Sequence, residues 1–184
     1  MSKLQNLVNL QWMMELRFYC THKKLLFYAP MMDIIKVVQI NLHHSRATST
    51  IMCRKLLTDS INVAMIQESW LSGRKIRGLS DNPRTCLYVK NMINSMANIR
   101  FCSRDATTME VSAVVGGCRR TIRLSSVYLP YKDPEPPSVM MRDIVQHSAE
   151  EKREIILGID ANAHHTLWET TDISLRGESL MNIW

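Results

Sequence analysis

The sequence has no long apolar run and no closely paired cysteines. Its five cysteines are widely spaced without a Cys-X-X-Cys pair, which excludes a disulfide framework and a zinc-knuckle pattern. We interpret them as small, buried apolar residues in a reducing compartment. No apolar stretch reaches the roughly 18 residues of a membrane-spanning helix, and the first residues lack the cleavage site of a secretory signal. We therefore expect an intracellular protein, nuclear or cytoplasmic, without a membrane partner.

Acidic residues are scarce in one part of the chain. The sequence contains 23 Lys and Arg against 17 Asp and Glu, a formal net charge of +6. Basic residues are concentrated from Arg74 to Arg104, where Asp81 is the only acid. Such a stretch favours an anionic partner, with nucleic acid first. The alternative is the solvated surface of an ordinary basic protein.

Composition indicates one folded domain with a distinct N-terminal segment. The chain is 46% hydrophobic and 22% charged, as in globular proteins. Residues 1–31 are rich in Met, Leu and aromatic residues and show no clear turn signals. We predict that they form an appendage, helical or poorly ordered, and that residues 32–184 form the domain.

Regular apolar patterns begin at Ile34 and indicate a mixed α/β domain with antiparallel content. The predicted strands are Ile34–Ile40, Val63–Gln67, Leu87–Val89, Ile99–Cys102 and Glu154–Ile159, and a hairpin runs from Met109 to Tyr128. The predicted helices are Ser45–Ser60, Ser138–Glu151 and Gly177–Trp184. This order predicts a sheet with helices packed outside it.

Polar residues follow four of the predicted strands. They are Asn41, Glu68, Tyr128, and the pair Asp160 and Asn162. Ligand sites in α/β proteins favour the carboxyl ends of strands, and Mg²⁺ prefers oxygen ligands. Each residue alone could be a turn former, a helix cap or a surface group. Together they indicate a site for a divalent cation and a phosphate.

Two histidine pairs raise the alternative of zinc. His43-His44 and His164-His165 each follow a predicted strand. Adjacent residues of an extended chain point to opposite sides, but four imidazoles on two loops could still meet at one metal. We favour the interpretation that His164 and His165 shape the site or contact nucleic acid.

Five stretches of the sequence carry a family resemblance. They are Gln39–Ser45, Ile66–Leu71, Ser126–Tyr131, Gly158–His165 and Leu167–Glu178. With them, the chain resembles the endonuclease/exonuclease/phosphatase superfamily, and within it the apurinic-type endonuclease domain of non-LTR retrotransposons. In those elements a reverse transcriptase accompanies the endonuclease. The resemblance spans about residues 32–184. It implies a four-layered α/β sandwich that hydrolyses DNA with Mg²⁺ or Mn²⁺ and needs no small-molecule cofactor.

The resemblance also implies a role for each candidate residue. Glu68 would bind the metal, and Asn41 would help to hold it. Asp160 would orient or deprotonate the attacking water, while Asn162 and Tyr128 would donate hydrogen bonds to phosphate oxygens. DNA contacts are expected from Arg74, Lys75, Arg77, His164 and His165.

The sequence departs from the family pattern in two places. It contains no Ser-Asp-His motif, which in the family supplies a histidine that contacts the scissile phosphate. Glu169 stands where the pattern suggests a small residue. We therefore expect a domain that is incomplete at its C-terminus and weak or inactive as an endonuclease. Two alternatives stay open, a non-catalytic nucleic-acid-binding remnant and a phosphatase of the same fold acting on a small phosphoester. The sequence predicts no oligomeric state.

Overall fold

The computed structural model describes residues 12–17, 34–70, 82–91, 93–115, 118–132, 137–168 and 171–181. They form two four-stranded sheets and three α-helices. Sheet A contains, in spatial order, β1 (Trp12–Arg17), β2 (Ile34–Asn41), β3 (Val63–Gln67) and β4 (Thr85–Val89). Sheet B contains β5 (Asn94–Ala97), β6 (Ala106–Val115), β7 (Cys118–Tyr128) and β8 (Glu154–Asp160). The helices are α1 (Arg46–Thr58), α2 (Val139–Glu150) and α3 (Leu175–Met181).

Each sheet contains one parallel pair whose strands end together. β2 and β3 are parallel, with Asn41 beside Gln67, and β7 and β8 are parallel, with Tyr128 beside Asp160. Parallel strands need a crossover connection, and α1 and α2 supply the two crossovers. The other pairings are antiparallel. The two parallel pairs therefore bring the polar strand ends into register within each sheet.

Three apolar clusters divide the domain into four layers. Met52 of α1 packs on one face of sheet A. The other face meets sheet B through a cluster that includes Met65 and Leu124. On the far side of sheet B, Met141 of α2 and Leu180 of α3 pack in a third cluster. The order helix, sheet, sheet, helix confirms the predicted four-layered sandwich.

Serine side chains begin the two crossover helices. Ser45 Oγ accepts a hydrogen bond from the Thr48 amide at 3.3 Å, and Ser138 Oγ accepts one from the Met141 amide at 3.3 Å. An N-cap oxygen of this kind satisfies an amide that has no partner within the helix. The starts predicted at Ser45 and Ser138 are therefore confirmed to within one residue.

Several sequence predictions differ from the structure. Trp12–Arg17 lie in the predicted appendage, yet they form a strand that pairs with β2 rather than a helix. The rest of residues 1–31 lies outside the described ranges, and the division at residue 32 stays a prediction. Ile99–Phe101 form a short 3-10 helix instead of a strand. Cys53 is exposed, and Cys86 and Cys102 are half-buried, so the prediction of buried cysteines is wrong for Cys53.

A buried arginine connects sheet B to α2. The Arg123 side chain is 2% exposed. It donates to Glu110 at 2.7 Å, to Glu151 at 2.6 Å and to Ser148 Oγ at 2.9 Å. A buried charge is tolerated when it is paired and hydrogen-bonded, so this network is an integral part of the packing.

Among the helices in the described ranges, none is long and apolar enough to cross a membrane.

Gly158 allows the two sheets to approach closely. A Cβ at this position would lie 2.9 Å from both Cβ and Sδ of Met65 in sheet A. We expect Gly158→Ala to lower the free energy of unfolding by about 1–3 kcal/mol, because added volume in a packed interior forces strain. Urea denaturation would measure this. The control is Ala97→Val at an exposed position of β5, expected to change stability by less than about 0.5 kcal/mol; an equal loss in both variants would refute the explanation.

Candidate functional site

Side chains of sheet A reach β8 of sheet B at three successive residues. Gln67 Nε2 donates to the Gly158 carbonyl at 3.0 Å, and Gln39 Nε2 donates to the Ile159 carbonyl at 2.8 Å. Asn41 Nδ2 donates to the carboxylate of Asp160. These bonds fix how far one sheet can slide along the other. They therefore set the distance between residues at the ends of β2 and β3 and the residues at the end of β8.

The Asp160 carboxylate is oriented by one donor from sheet A and one from the loop after β8. One oxygen accepts from Asn41 Nδ2, and the other accepts from the Asn162 amide at 3.3 Å. The Asn41 side chain is itself held, because its Oδ1 accepts from the His43 amide at 2.7 Å. Asp160 thus has a defined orientation, as a group that positions or deprotonates a water molecule requires.

Glu68 lies at the end of β3 with two imidazoles beside it. Its side chain is 16% exposed, and its carboxylate oxygens lie 3.7 Å from His43 Nδ1 and 3.6 Å from His44 Nε2. Its amide donates to the Arg84 carbonyl at 2.6 Å, and its carbonyl accepts from the His44 amide at 2.7 Å. The carboxylate is therefore half-buried at the mouth of the site with its backbone held on both sides.

Tyr128 presents a phenol next to Glu68 and Asn162. Burial raises the pKa of Tyr128 above its ordinary value, and the negative charge of Glu68 adds to this. The hydrogen bond with Asn162 and the charge of Arg84 act in the opposite direction. The phenol therefore stays protonated at neutral pH and can donate a hydrogen bond. Asn162 is held by its own bond from Nδ2 to the Leu129 carbonyl at 3.0 Å.

Four residues of the site have left-handed backbone conformations. Their φ angles are 47° at His43, 51° at His44, 49° at Glu68 and 46° at Asn162. Such a conformation costs a residue other than glycine about 1 kcal/mol or more, and it concentrates at functional sites. It occurs here where the chain leaves β2, β3 and β8. The left-handed conformation turns the chain sharply at each strand end, and the side chains of His43 and His44 lie beside Glu68.

The structure brings together five of the residues predicted from the sequence: Asn41, Glu68, Tyr128, Asp160 and Asn162. Three others, Arg74, Lys75 and Arg77, lie outside the described residues, and their predicted DNA contacts stay predictions. Glu169, where the sequence departs from the family pattern, also lies outside the described residues. Sequence reasoning missed Gln39 and Gln67, because a glutamine within an apolar strand carries no signal of the sheet that it will contact.

The two histidine pairs lie against different carboxylates. His43 and His44 face Glu68, whereas His164 Nδ1 lies 2.9 Å from Asp172 Oδ1. His165 Nδ1 accepts from the Leu167 amide at 3.1 Å. Within the described ranges, no three His, Cys, Asp or Glu side chains form a group that could hold a metal. The alternative of one zinc ion bound by both pairs therefore has no support there.

The oxygen atoms at the site fit a different kind of ion. Zinc sites need three or four close side-chain ligands, whereas Mg²⁺ is usually bound by one or two carboxylates together with water and phosphate oxygens. Glu68 offers a half-buried carboxylate after β3, and Asn41 offers an amide oxygen, which accepts from the His43 amide, at the end of the neighbouring β2. Oxygen donors of this kind fit Mg²⁺ or Mn²⁺ better than zinc, and the predicted metal stays a prediction.

Comparisons with known proteins agree with this architecture. The family model described as endonuclease-reverse transcriptase matches residues 122–184, about a third of the chain, including Tyr128, Asp160 and Asn162. Among solved structures, the endonuclease domain of TRAS1, a telomere-specific non-LTR retrotransposon, is similar with a TM-score of 0.64. The identity is 19%, and the alignment covers 81% of this chain and 68% of that one. A comparison with curated proteins found no match.

These findings first define a class, a mixed α/β sandwich with the fold of a retrotransposon endonuclease domain. They then confirm the resemblance predicted from the sequence, to the endonuclease/exonuclease/phosphatase superfamily and the endonuclease domains of non-LTR retrotransposons. Asn41 and Glu68 lie outside residues 122–184, so their membership of the site depends on the fold.

Proposed function

We propose that this chain is a divalent-metal-dependent endonuclease domain that hydrolyses phosphodiester bonds of DNA. The observation that carries the proposal is the contact between Asn41 of sheet A and Asp160 of sheet B. It joins two strand ends that are 119 residues apart. An oriented carboxylate, a second carboxylate and a protonated phenol therefore lie at the same end of the two sheets.

Each residue has a role that follows from its position. Asp160 would accept a proton from the attacking water, and Asn41 would keep the carboxylate oriented. Tyr128 and Asn162 would donate to phosphate oxygens as negative charge develops on them. Glu68 and Asn41 would hold the cation, which when bound supplies positive charge to the phosphate. Because the sequence contains no Ser-Asp-His motif, we expect slow turnover by this polypeptide.

The direct test is nicking of supercoiled plasmid DNA by the purified chain. We expect slow accumulation of nicked circles with Mg²⁺ or Mn²⁺ and none with EDTA. Salt-dependent DNA binding without nicking would favour the non-catalytic alternative, because phosphate contacts weaken as salt rises. Hydrolysis of p-nitrophenyl phosphate without DNA affinity would favour a phosphatase.

The effect of removing the predicted metal ligand can be measured as a change in metal affinity, without any nuclease activity. We expect Glu68→Gln to weaken Mn²⁺ binding at least about tenfold, because it removes the charged ligand at the site. Electron paramagnetic resonance of free Mn²⁺ measures the affinity. Glu178→Gln, in an exposed position of α3, is the control and should bind as the unmodified chain does. Unchanged Mn²⁺ affinity in Glu68→Gln would remove Glu68 from the metal site.

A further inference from the structure

We propose that Arg84, held by Asp105, is a positioning residue that orients the phenol of Tyr128 toward the phosphate. The catalytic role of Tyr128 in this proposal rests on the proposed endonuclease function. Whether Arg84 orients the Tyr128 side chain can be tested without nuclease activity. Arg84 precedes β4 in sheet A, and Asp105 precedes β6 in sheet B. The pair therefore connects the two sheets at the same end of the domain as the candidate site.

The guanidinium of Arg84 is fixed by a two-point contact. Its Nε donates to Asp105 Oδ1 at 2.5 Å, and Nη2 donates to Oδ2 at 2.7 Å. The two side chains are 20% and 31% exposed. A fork of two parallel hydrogen bonds defines the plane of the guanidinium as well as its location. Arg84 thus presents a rigid cationic plane rather than a mobile charge.

That plane lies over the ring of Tyr128. The Arg84 Cζ is 4.5 Å from the ring centroid, within the distance at which a cation is attracted to an aromatic face. Of the described arginine–aromatic pairs, this one has the shortest separation. Covering one face of the ring opposes a change of the χ1 rotamer of Tyr128, and this keeps the hydroxyl beside Glu68 and Asn162, where Tyr128 makes its other contacts.

The same two residues also hold the backbone on both sides of the site. The Arg84 carbonyl accepts from the Glu68 amide at 2.6 Å, and the Asp105 carbonyl accepts from the Tyr128 amide at 2.8 Å. The main chains that carry the predicted metal ligand and the phenol are therefore attached to one ion pair. A shift of that pair would move both groups, and a misplacement of about 1 Å can slow catalysis about 100-fold.

Arg84 falls within the basic stretch that the sequence suggested as a surface for the phosphate backbone. Its geometry argues against direct phosphate binding, because two of its nitrogens are already bonded to a carboxylate and the side chain is mostly buried. The N–H groups that point at Asp105 are therefore not open to a phosphate. The described contacts therefore favour an effect on catalysis through Tyr128 over an effect on DNA affinity.

The first test is spectroscopic and needs no activity. The chain has five tyrosines; labelling them with 3-fluorotyrosine gives ¹⁹F signals, and Tyr128→Phe identifies the signal of Tyr128. We expect Arg84→Gln to shift that signal, while the control Arg100→Gln leaves it unchanged. Arg100 lies 5.4 Å from the ring of Phe101, a comparable arginine–aromatic contact elsewhere. An unshifted Tyr128 signal in folded Arg84→Gln would overturn the proposal.

The second test separates kcat from KM in plasmid nicking. We expect Arg84→Gln to lower kcat about 10- to 100-fold with KM changed less than about twofold, and Arg84→Lys to recover part of kcat. A rise in KM with unchanged kcat would instead identify Arg84 as a DNA contact and overturn the proposal. If Arg84→Gln fails to fold, Asp105→Asn replaces it in both tests. If the unmodified chain does not nick DNA, the proposed function fails, and the ¹⁹F result still decides the orientation of Tyr128.

Discussion

Replacement of Asp160 with asparagine is expected to abolish metal-dependent nicking without unfolding the chain. Asparagine has nearly the same shape and keeps an oxygen for the bond from Asn41, but it cannot take a proton from water at neutral pH. Loss of a general base typically lowers the rate 10²- to 10⁴-fold. Initial rates of nicking, measured beside circular dichroism spectra, would test this.

The matched control for this variant is Asp143→Asn. Asp143 is exposed on α2, in the layer outside sheet B, so the same chemical change there should leave the rate unaltered. Equal nicking by the unmodified chain and by Asp160→Asn would contradict the role of Asp160. If Glu68→Gln were also equally active, the nicking would come from a contaminating nuclease. Loss of nicking in both Asp160→Asn and Glu68→Gln would identify the candidate site as the source of the activity.

Replacement of Arg123 with methionine is expected to lower the free energy of unfolding by about 3–5 kcal/mol. The variant leaves Glu110, 13% exposed, without its closest cation. Removing one partner of a buried ion pair leaves the other charge poorly compensated, and this is strongly destabilising. Arg153 also faces Glu110, but at 3.6 Å. The shift of the urea midpoint, with the slope of the transition held constant, would measure the loss.

Arg120→Met provides the comparison on the same strand. Arg120 is 44% exposed and lies 3.6 Å from Glu154, and exposed pairs of this kind contribute at most about 1 kcal/mol. A large difference between the two variants would confirm that burial, rather than charge pairing as such, makes Arg123 important. Similar losses in both would contradict that explanation.

Much of the fold could be predicted because its central strands are buried on both faces. Residues in such strands form continuous apolar runs, and Val63 to Gln67 is buried at every position. The misses have physical causes. β5 has the sequence Asn-Ser-Met-Ala, without β-branched residues, and it is a strand because it pairs with β6. Conversely, Ile99–Phe101 looked like a strand but form a 3-10 helix in which only Phe101 is buried.

The candidate site could be predicted residue by residue, but its geometry could not. Asn41 and Asp160 each follow an apolar strand, which the sequence shows; that they bond to each other depends on how two sheets pack. Arg84 shows most clearly what the sequence could not predict. Its neighbours in the sequence give no reason to pair it with Asp105 or to place it over Tyr128, since all of these contacts join the two sheets.

The left-handed residues at the strand ends make the site a source of instability. Glycine adopts that backbone conformation without the steric penalty of a side chain, so glycine at Glu68 or His44 would relieve strain and remove a functional group together. Mutations that relieve such strain are a recognised route by which proteins gain thermostability and lose activity. Selection of this chain for heat resistance alone would therefore favour glycine at Glu68 and remove the proposed metal ligand.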